Sequence, residues 1–263
     1  MRTSALSWPV SALADALAPW LPGVRVEVAP EIDSSNSELM RRARAGALAA
    51  TLLVAEIQNA GRGRLGRRWH SDAAAAGAAL TFSLGLPLAP RGDWSGLSLA
   101  VGLSLAEALH PDIRLKWPND LWWQGRKLAG ILVETAGAGE PGAPRGVVVG
   151  VGINIAPLAD EGFRTAPAWL QALLPGIDAP AALLRVAAPL ARALRDFEQQ
   201  GFAPLAARFN ARDALAGQRL RLSDGSEGQG EGVDASGALQ LRTPAGLRTV
   251  HSAEVSVRPA AEA

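Results

Sequence analysis

The hydrophobic pattern of this chain changes character once, near Gly217, and that change restricts it to a two-part architecture. Before it, apolar runs at 52–57, 79–86, 128–133 and 147–155 have the length of buried strands. Segments with a helical period are interleaved with them at 11–17, 38–45, 95–109, 180–200 and 204–210. In the fourth of these, Leu183, Leu184, Leu190, Leu194 and Phe197 fall on one side. Residues 24–28 alternate with period two as a strand, and Ser34, Ser35 or Asn36 is placed to cap the helix that follows. After Gly217 come short strands at 219–222, 226–233, 238–241 and 247–250, with turn dipeptides Asp224-Gly225 and Ser236-Gly237 among them. The expectation is an α+β chain, α/β-like in its first part, with a small barrel appended and a frayed tail over 259–263.

Composition removes several function classes. A formal charge of +1 gives no global field for nucleic acid or membrane, so anion binding has to come from local clusters. There is no cysteine, which excludes a disulfide framework and thiolate chemistry. His70, His110 and His251 are too far apart in sequence for the short spacing of a zinc site. The first 22 residues are broken by Pro9 and Pro19 and lack the layout of an export signal, and the alanine-rich run 43–55 is too short to span a bilayer. A soluble, cytoplasmic protein is expected.

Two local clusters do stand out. Gly61-Arg62-Gly63-Arg64-Leu65-Gly66-Arg67-Arg68-Trp69 follows an expected strand and combines glycines, which let backbone approach a ligand, with donors for phosphate or carboxylate oxygens. It satisfies Gly-x-Gly-x-x-Gly literally, but the bulky residues after it and the misplaced acids Asp72 and Asp93 argue against a dinucleotide fold. Such a loop is expected to be mobile until an anion neutralises it, then to close as a lid. Trp69 offers a flat face for a ring or is a lip tryptophan. The second cluster holds both lysines among the 26 Lys and Arg, Lys116 and Lys127, in the stretch Lys116-Trp117-Pro118-Asn119-Asp120-Leu121-Trp122-Trp123-Gln124-Gly125-Arg126-Lys127. A compact ammonium is a point charge that a planar guanidinium cannot replace. Turns at Pro118-Asn119 and Gln124-Gly125 put the two lysines near opposite ends of a hairpin, able to face one pocket, with Asp120 either orienting an ammonium or a plain turn residue. Gly150-Val151-Gly152-Ile153-Asn154 ends a strand with glycines that imply a close approach, and Asn154 is either a phosphate donor or a strand-end residue.

In this order, Ser34-Ser35-Asn36, Gln58, the loop 61–69, the stretch 116–127 continued by Leu128-Ala129-Gly130-Ile131-Leu132-Val133-Glu134, and 150–154 resemble the biotin protein ligases over about residues 25–260. The resemblance implies ATP-dependent conversion of biotin to biotinoyl-5′-AMP, then transfer to a lysine of a biotin carboxyl carrier protein. It also implies a catalytic domain over 24–213 with a central mixed sheet flanked by helices, an N-terminal helical segment over 1–23 and an SH3-like C-terminal domain over 214–263. By the same resemblance Lys127 and Arg64 are catalytic, and Ser34, Ser35, Asn36, Gln58, Gly61, Arg62, Gly63, Arg64, Lys127 and Gly130 bind biotin. Arg67, Trp69, Lys116, Asn119, Asp120 and Asn154 match nucleotide contacts, with Asp120 beside Mg²⁺. ATP and Mg²⁺ serve as substrate and activator, and no prosthetic group is implied.

The chain departs from the family at Ser35, where threonine is common; the hydroxyl is kept. Family members that repress transcription carry a helix-turn-helix domain ahead of this point, for which the residues before Asp33 leave no room, so ligation without DNA binding is expected. Homodimerisation is left open. A lipoate or octanoyl transfer protein fits the loop and the lysine stretch less well, and a nucleic-acid-binding module lacks aromatic residues for stacking over 217–263.

Overall fold

The computed structural model describes residues 6–69, 77–92, 94–137, 143–157, 165–251 and 257–259. Among them, seven strands form one mixed sheet in the order β1-β2-β3-β7-β6-β5-β4. The strands are β1 (Arg25–Ala29), β2 (Thr51–Ala55), β3 (Ala79–Leu88), β4 (Arg114–Lys116), β5 (Asp120–Trp123), β6 (Arg126–Ala136) and β7 (Arg145–Asn154). Only β1 and β2 run parallel, joined by the crossover helix α2 (Ser35–Arg44); the other pairs are antiparallel. Central strands β2 and β3 are buried almost throughout, which explains why they read as unbroken apolar runs.

Helix α2 begins where the chain chemistry demands. Ser34 is extended, and its hydroxyl accepts from Ser37 N at 3.3 Å, supplying one of the partners that first-turn amides lack. Helices α1 (Val10–Leu17), α3 (Leu97–Leu109) and α4 (Ala179–Gln200) cover a sheet face, α3 against α4 and α4 against α1. Asp178 caps α4 through Ala181 N at 2.8 Å. Its buried stripe is Leu183, Val186, Ala187, Leu190, Leu194 and Phe197, whereas Leu184 points outward at 36% exposure. Leu184 lies a 100° step round the helix from Leu183, beyond the edge of the buried stripe. After the short helix α5 (Ala206–Asn210), residues 211–215 lie along β4, with Leu115 N donating to Arg212 O and Ala214 N to Leu115 O.

Strands β8 (Arg219–Leu222), β9 (Glu227–Val233), β10 (Leu239–Thr243), β11 (Gly246–Val250) and β12 (Val257–Pro259) form an antiparallel sheet in the order β11-β10-β9-β8-β12. The expected barrel is not closed among the described residues: β11 and β12 are the two edges, and closure requires a ladder between them. Strand β12 is new relative to the sequence reading, and it pairs Pro259 with Leu220, so Pro259 belongs to a strand; residues 260–263 lie outside the described set. Leu215, Leu220, Leu239 and Leu241 share one hydrophobic cluster with the larger sheet. The fully buried Trp117 crosses that junction, its indole N–H donating to Gly237 O at 3.0 Å. No described helix is long and apolar enough to cross a membrane.

Candidate active site

A cavity of about 740 Å³ opens above β3, β6 and β7, and both clusters singled out in the sequence line it. Its plan is set by two glycines on one face of β7. A Cβ on Gly150 would lie 2.3 Å from Asn36 Oδ1, and one on Gly152 would lie 2.3 Å from the Trp69 ring. Side chains two apart on a strand share a face about 7 Å apart. The floor therefore has two stations, one at Asn36 and one at Trp69.

Around Asn36 the groups are hydroxyls and amides hydrogen-bonded to one another, with the Glu134 carboxylate at their edge. Ser35 N and Oγ donate to Gln58 Oε1 at 2.8 and 3.2 Å, and Ser35 Oγ lies 2.8 Å from Ser83 Oγ. Ser83 Oγ donates to Asn36 Oδ1 at 2.8 Å, and Asn36 Nδ2 donates to Glu134 Oε2 at 2.7 Å. The start of α2 supplies Ser35 and Asn36, and burial of Ser34, Ser35, Asn36 and Ser83 holds them there.

Around Trp69 the groups are charged. The β4-β5-β6 meander brings Lys116 opposite Asp120 and Lys127 opposite Trp122. Lys127 Nζ is 2.7 Å from Asp120 Oδ1 and 5.8 Å from the Trp69 ring centre; Lys116 Nζ is 3.9 Å from Asp120 Oδ2 and 5.1 Å from the Trp122 ring centre. The arginine loop is a small hairpin beside them. Arg62 and Arg68 pair, Gly63 N donates to Arg67 O at 2.7 Å, and Trp69 N donates to Gly61 O at 2.9 Å. At its tip Leu65 has φ 56° and stands 66% exposed. Burial pushes the Arg64 guanidinium down from its ordinary pKa, Asp120 pulls it up and Arg67 pushes it down. With Arg62, Arg64, Arg67, Arg68, Lys116 and Lys127 on its wall and Asp120 as the one lining acid among the described residues, the cavity is built for an anion.

Ser34, Ser35, Asn36, Gln58, Arg62, Gly63, Arg64, Arg67, Trp69, Lys116, Asn119, Asp120, Lys127 and Gly130 all line the cavity. Two expected site residues do not. Gly61 closes the neck of the hairpin, where a Cβ would lie 2.7 Å from Trp69 O. Asn154 is buried, and its amide donates to Lys127 O at 3.3 Å and Ala168 O at 3.0 Å, a strut behind Lys127. Asp120, the residue expected beside Mg²⁺, lies between the two lysines. Its two oxygens face the two ammoniums, and among the described residues no group of three His, Cys, Asp or Glu side chains could hold a metal. Of the histidines, His110 and His251 are not on the wall, and His70, like Asp72 and Asp93, is outside the described residues. Thr81, Phe82 and Ser83 of β3 also line the cavity; in the sequence they belong to an unbroken apolar run, which does not single out the residues that reach it.

The chain matches the model of the biotin/lipoate A/B protein ligase family over residues 31–154 and that of the biotin protein ligase C-terminal domain over 219–258. It is 38% identical over 240 residues to the biotin–[acetyl-CoA-carboxylase] ligase of Paracoccus denitrificans, covering 85% of this chain and 96% of that protein. It is also 38% identical over 254 residues to the bifunctional ligase/repressor BirA of Escherichia coli, covering 91% of this chain and 76% of that one. The solved structure of biotin protein ligase from Aquifex aeolicus in complex with biotin and ATP superposes with a TM-score of 0.72 at 28% identity, over 89% of this chain and 99% of that one. With its sheet order, its cavity and these matches in agreement, the chain belongs to the biotin protein ligases of the biotin/lipoate A/B protein ligase family.

Proposed function

We propose that the protein activates biotin with ATP to biotinoyl-5′-AMP and pyrophosphate, then transfers the biotinoyl group to one lysine of a biotin carboxyl carrier protein. The observation that carries this reading is the two-station cavity: neutral hydroxyls and amides around Asn36, cations around Trp69. A ureido head needs hydrogen-bonding neighbours in a narrow slot, and Ser35, Asn36, Gln58 and Ser83 supply them. The acid end of the same ligand then reaches toward Arg62 and Lys127, where the nucleotide's α-phosphate is met by Arg64 and Arg67.

Adenylation follows from positioning and charge. A carboxylate oxygen of biotin attacks the α-phosphorus; the new O–P bond forms as the bond to the pyrophosphate oxygen breaks. Charge accumulates on the phosphoryl oxygens, and Lys127, pinned at 2.7 Å by Asp120, is the compact cation beside them. No covalent enzyme intermediate is required. In the second step an unprotonated acceptor amine attacks the acyl carbon, the acyl–O bond breaks, AMP leaves and the amine proton passes to solvent. Magnesium would enter this scheme with ATP, and Asp120, between Lys116 and Lys127, is the carboxylate that would stand beside it. Activity is expected in the cytoplasm.

A lipoyl or octanoyl tail fits this floor poorly. It offers no hydrogen-bonding atoms to Ser35, Asn36, Gln58 and Ser83, so it gains none of the recognition that a ureido head would. The direct test is incubation with biotin, ATP and a biotin carboxyl carrier domain, read by intact mass. One biotinoyl group on one lysine is expected; no modification by folded protein would overturn the reading.

A further inference from the structure

Glu134 sits on β6, lies outside the set of site residues expected from the family resemblance, and does more in this structure than its neighbours on that strand. One oxygen, Oε2, accepts from Asn36 Nδ2 at 2.7 Å and from Arg62 Nη2 at 2.5 Å. Asn36 belongs to the polar station and Arg62 to the arginine loop, so a single carboxylate oxygen joins the two. The hydrogen bonds are continuous from there: Arg62, Glu134, Asn36, Ser83 and Ser35 follow in turn and the Ser35 backbone N–H donates to Gln58 Oε1, so one chain runs from the loop to the far side of the polar pocket. Its members come from α2, the 61–69 hairpin, β3, β6 and the segment after β2; the ladders through β7 fix β3 against β6, and this chain of side chains ties α2 and the hairpin to them. Asn36 has little freedom to respond otherwise, since its Oδ1 already stands 2.3 Å from where a Cβ on Gly150 would be.

We propose that Glu134 is a positioning residue for the biotin half of the reaction: it turns the Arg62 guanidinium so that its remaining donors face the ligand's carboxylate, and it fixes Asn36 for the ligand's head. This rests on the reading of the cavity as a biotin and ATP site. The charge is essential, because a carboxylate can accept both bonds at one oxygen while a neutral amide accepts them more weakly. Arg62 and Glu134 are partly exposed, at 45% and 23%, so the pair matters through geometry more than through ion-pair energy.

The test uses Glu134→Gln, which keeps volume, alongside Glu134→Ala, Arg62→Ala and the double variant Glu134→Ala/Arg62→Ala. Loss of a charge-assisted hydrogen bond corresponds to roughly 10- to 100-fold, so the KM for biotin in ATP–pyrophosphate exchange should rise by about that much in each single variant. The KM for ATP should stay within roughly twofold, and the double variant should be no worse than the worse single one, because the two residues act as one unit. Calorimetric titration of biotin alone should show the same loss. Equal rises in both KM values, or independent additive losses in the double variant, would overturn the proposal. Wild-type protein that binds no biotin would overturn the function assigned to the cavity and this role with it; wild-type binding with unaffected variants would overturn this role only.

Discussion

Gly152→Ala adds one methyl group and should damage the nucleotide half of the reaction specifically. The added Cβ would sit 2.3 Å from Trp69 Cε2 and 2.4 Å from Cζ2. Ordinary carbon contact is about 3.5 Å, so the ring has to retreat by about 1 Å. The Trp69 backbone N–H is held by Gly61 O at 2.9 Å, so the movement has to come from the side chain. Overpacking of this kind costs about 1–3 kcal/mol, and moving a substrate-facing group by about 1 Å can cost up to 100-fold in rate. ATP–pyrophosphate exchange, measured with each substrate varied in turn, should show kcat/KM for ATP reduced about 10- to 100-fold, with the KM for biotin within roughly twofold. Gly150→Ala is the control two residues away on the same face. Its Cβ would meet Asn36 Oδ1 at 2.3 Å and Asn36 Cγ at 2.9 Å, so it should raise the KM for biotin and spare ATP. Folded variants that both affect the same substrate, or a Gly152→Ala protein with unchanged use of ATP, would refute the two-station cavity.

Other substitutions read other parts of the site. Lys127→Arg keeps the charge but puts a planar fork where a compact ammonium lies 2.7 Å from Asp120, and single-turnover adenylate formation should fall by about 100-fold or more; near-normal turnover would remove Lys127 from its role. Arg64→Ala should release biotinoyl-AMP into solution at least about tenfold faster, seen by rapid filtration, and undiminished retention would argue against the loop as a lid. Asp213, at the junction with the C-terminal sheet, has its carboxyl pushed up by burial to about 6 from 3.8, with a smaller opposing effect of the Leu215 amide. The folded state therefore holds this proton more tightly than the unfolded state, so the carboxyl's contribution is best below about pH 4 and is lost as pH rises through 6. Asp213→Asn should flatten the dependence of Tm on pH between 4 and 7 and stabilise the neutral protein by up to about 3 kcal/mol; an unchanged slope would show that desolvation does not raise the Asp213 carboxyl in the folded protein.

Local rules carried much of the fold. Ser34 capped α2 because a hydroxyl before a helix has amides to satisfy, and the turns at Pro118-Asn119 and Gln124-Gly125 did bring Lys116 and Lys127 to one wall. Gly150 and Gly152 announced a close approach but not its partners, since Asn36 and Trp69 arrive from segments remote in sequence. Glu134 read as the end of an apolar strand, and only the folded chain shows both Asn36 and Arg62 on its one oxygen. The sequence leaves Asn154 open between a phosphate donor and a strand-end residue, because its strut behind Lys127 depends on Ala168, which no local pattern places there. Leu184 was misassigned by counting adjacent leucines together, and β12 was missed because three residues carry no period.

Biotin-dependent ATP–pyrophosphate exchange by the purified protein tests the central assignment most directly, because it needs no acceptor and reports only on chemistry in the cavity between Asn36 and Lys127. Exchange that requires biotin, is not supported by lipoate or octanoate, and is lost in Lys127→Arg is expected. Folded protein that shows no exchange with biotin, or equal exchange with octanoate, would contradict it.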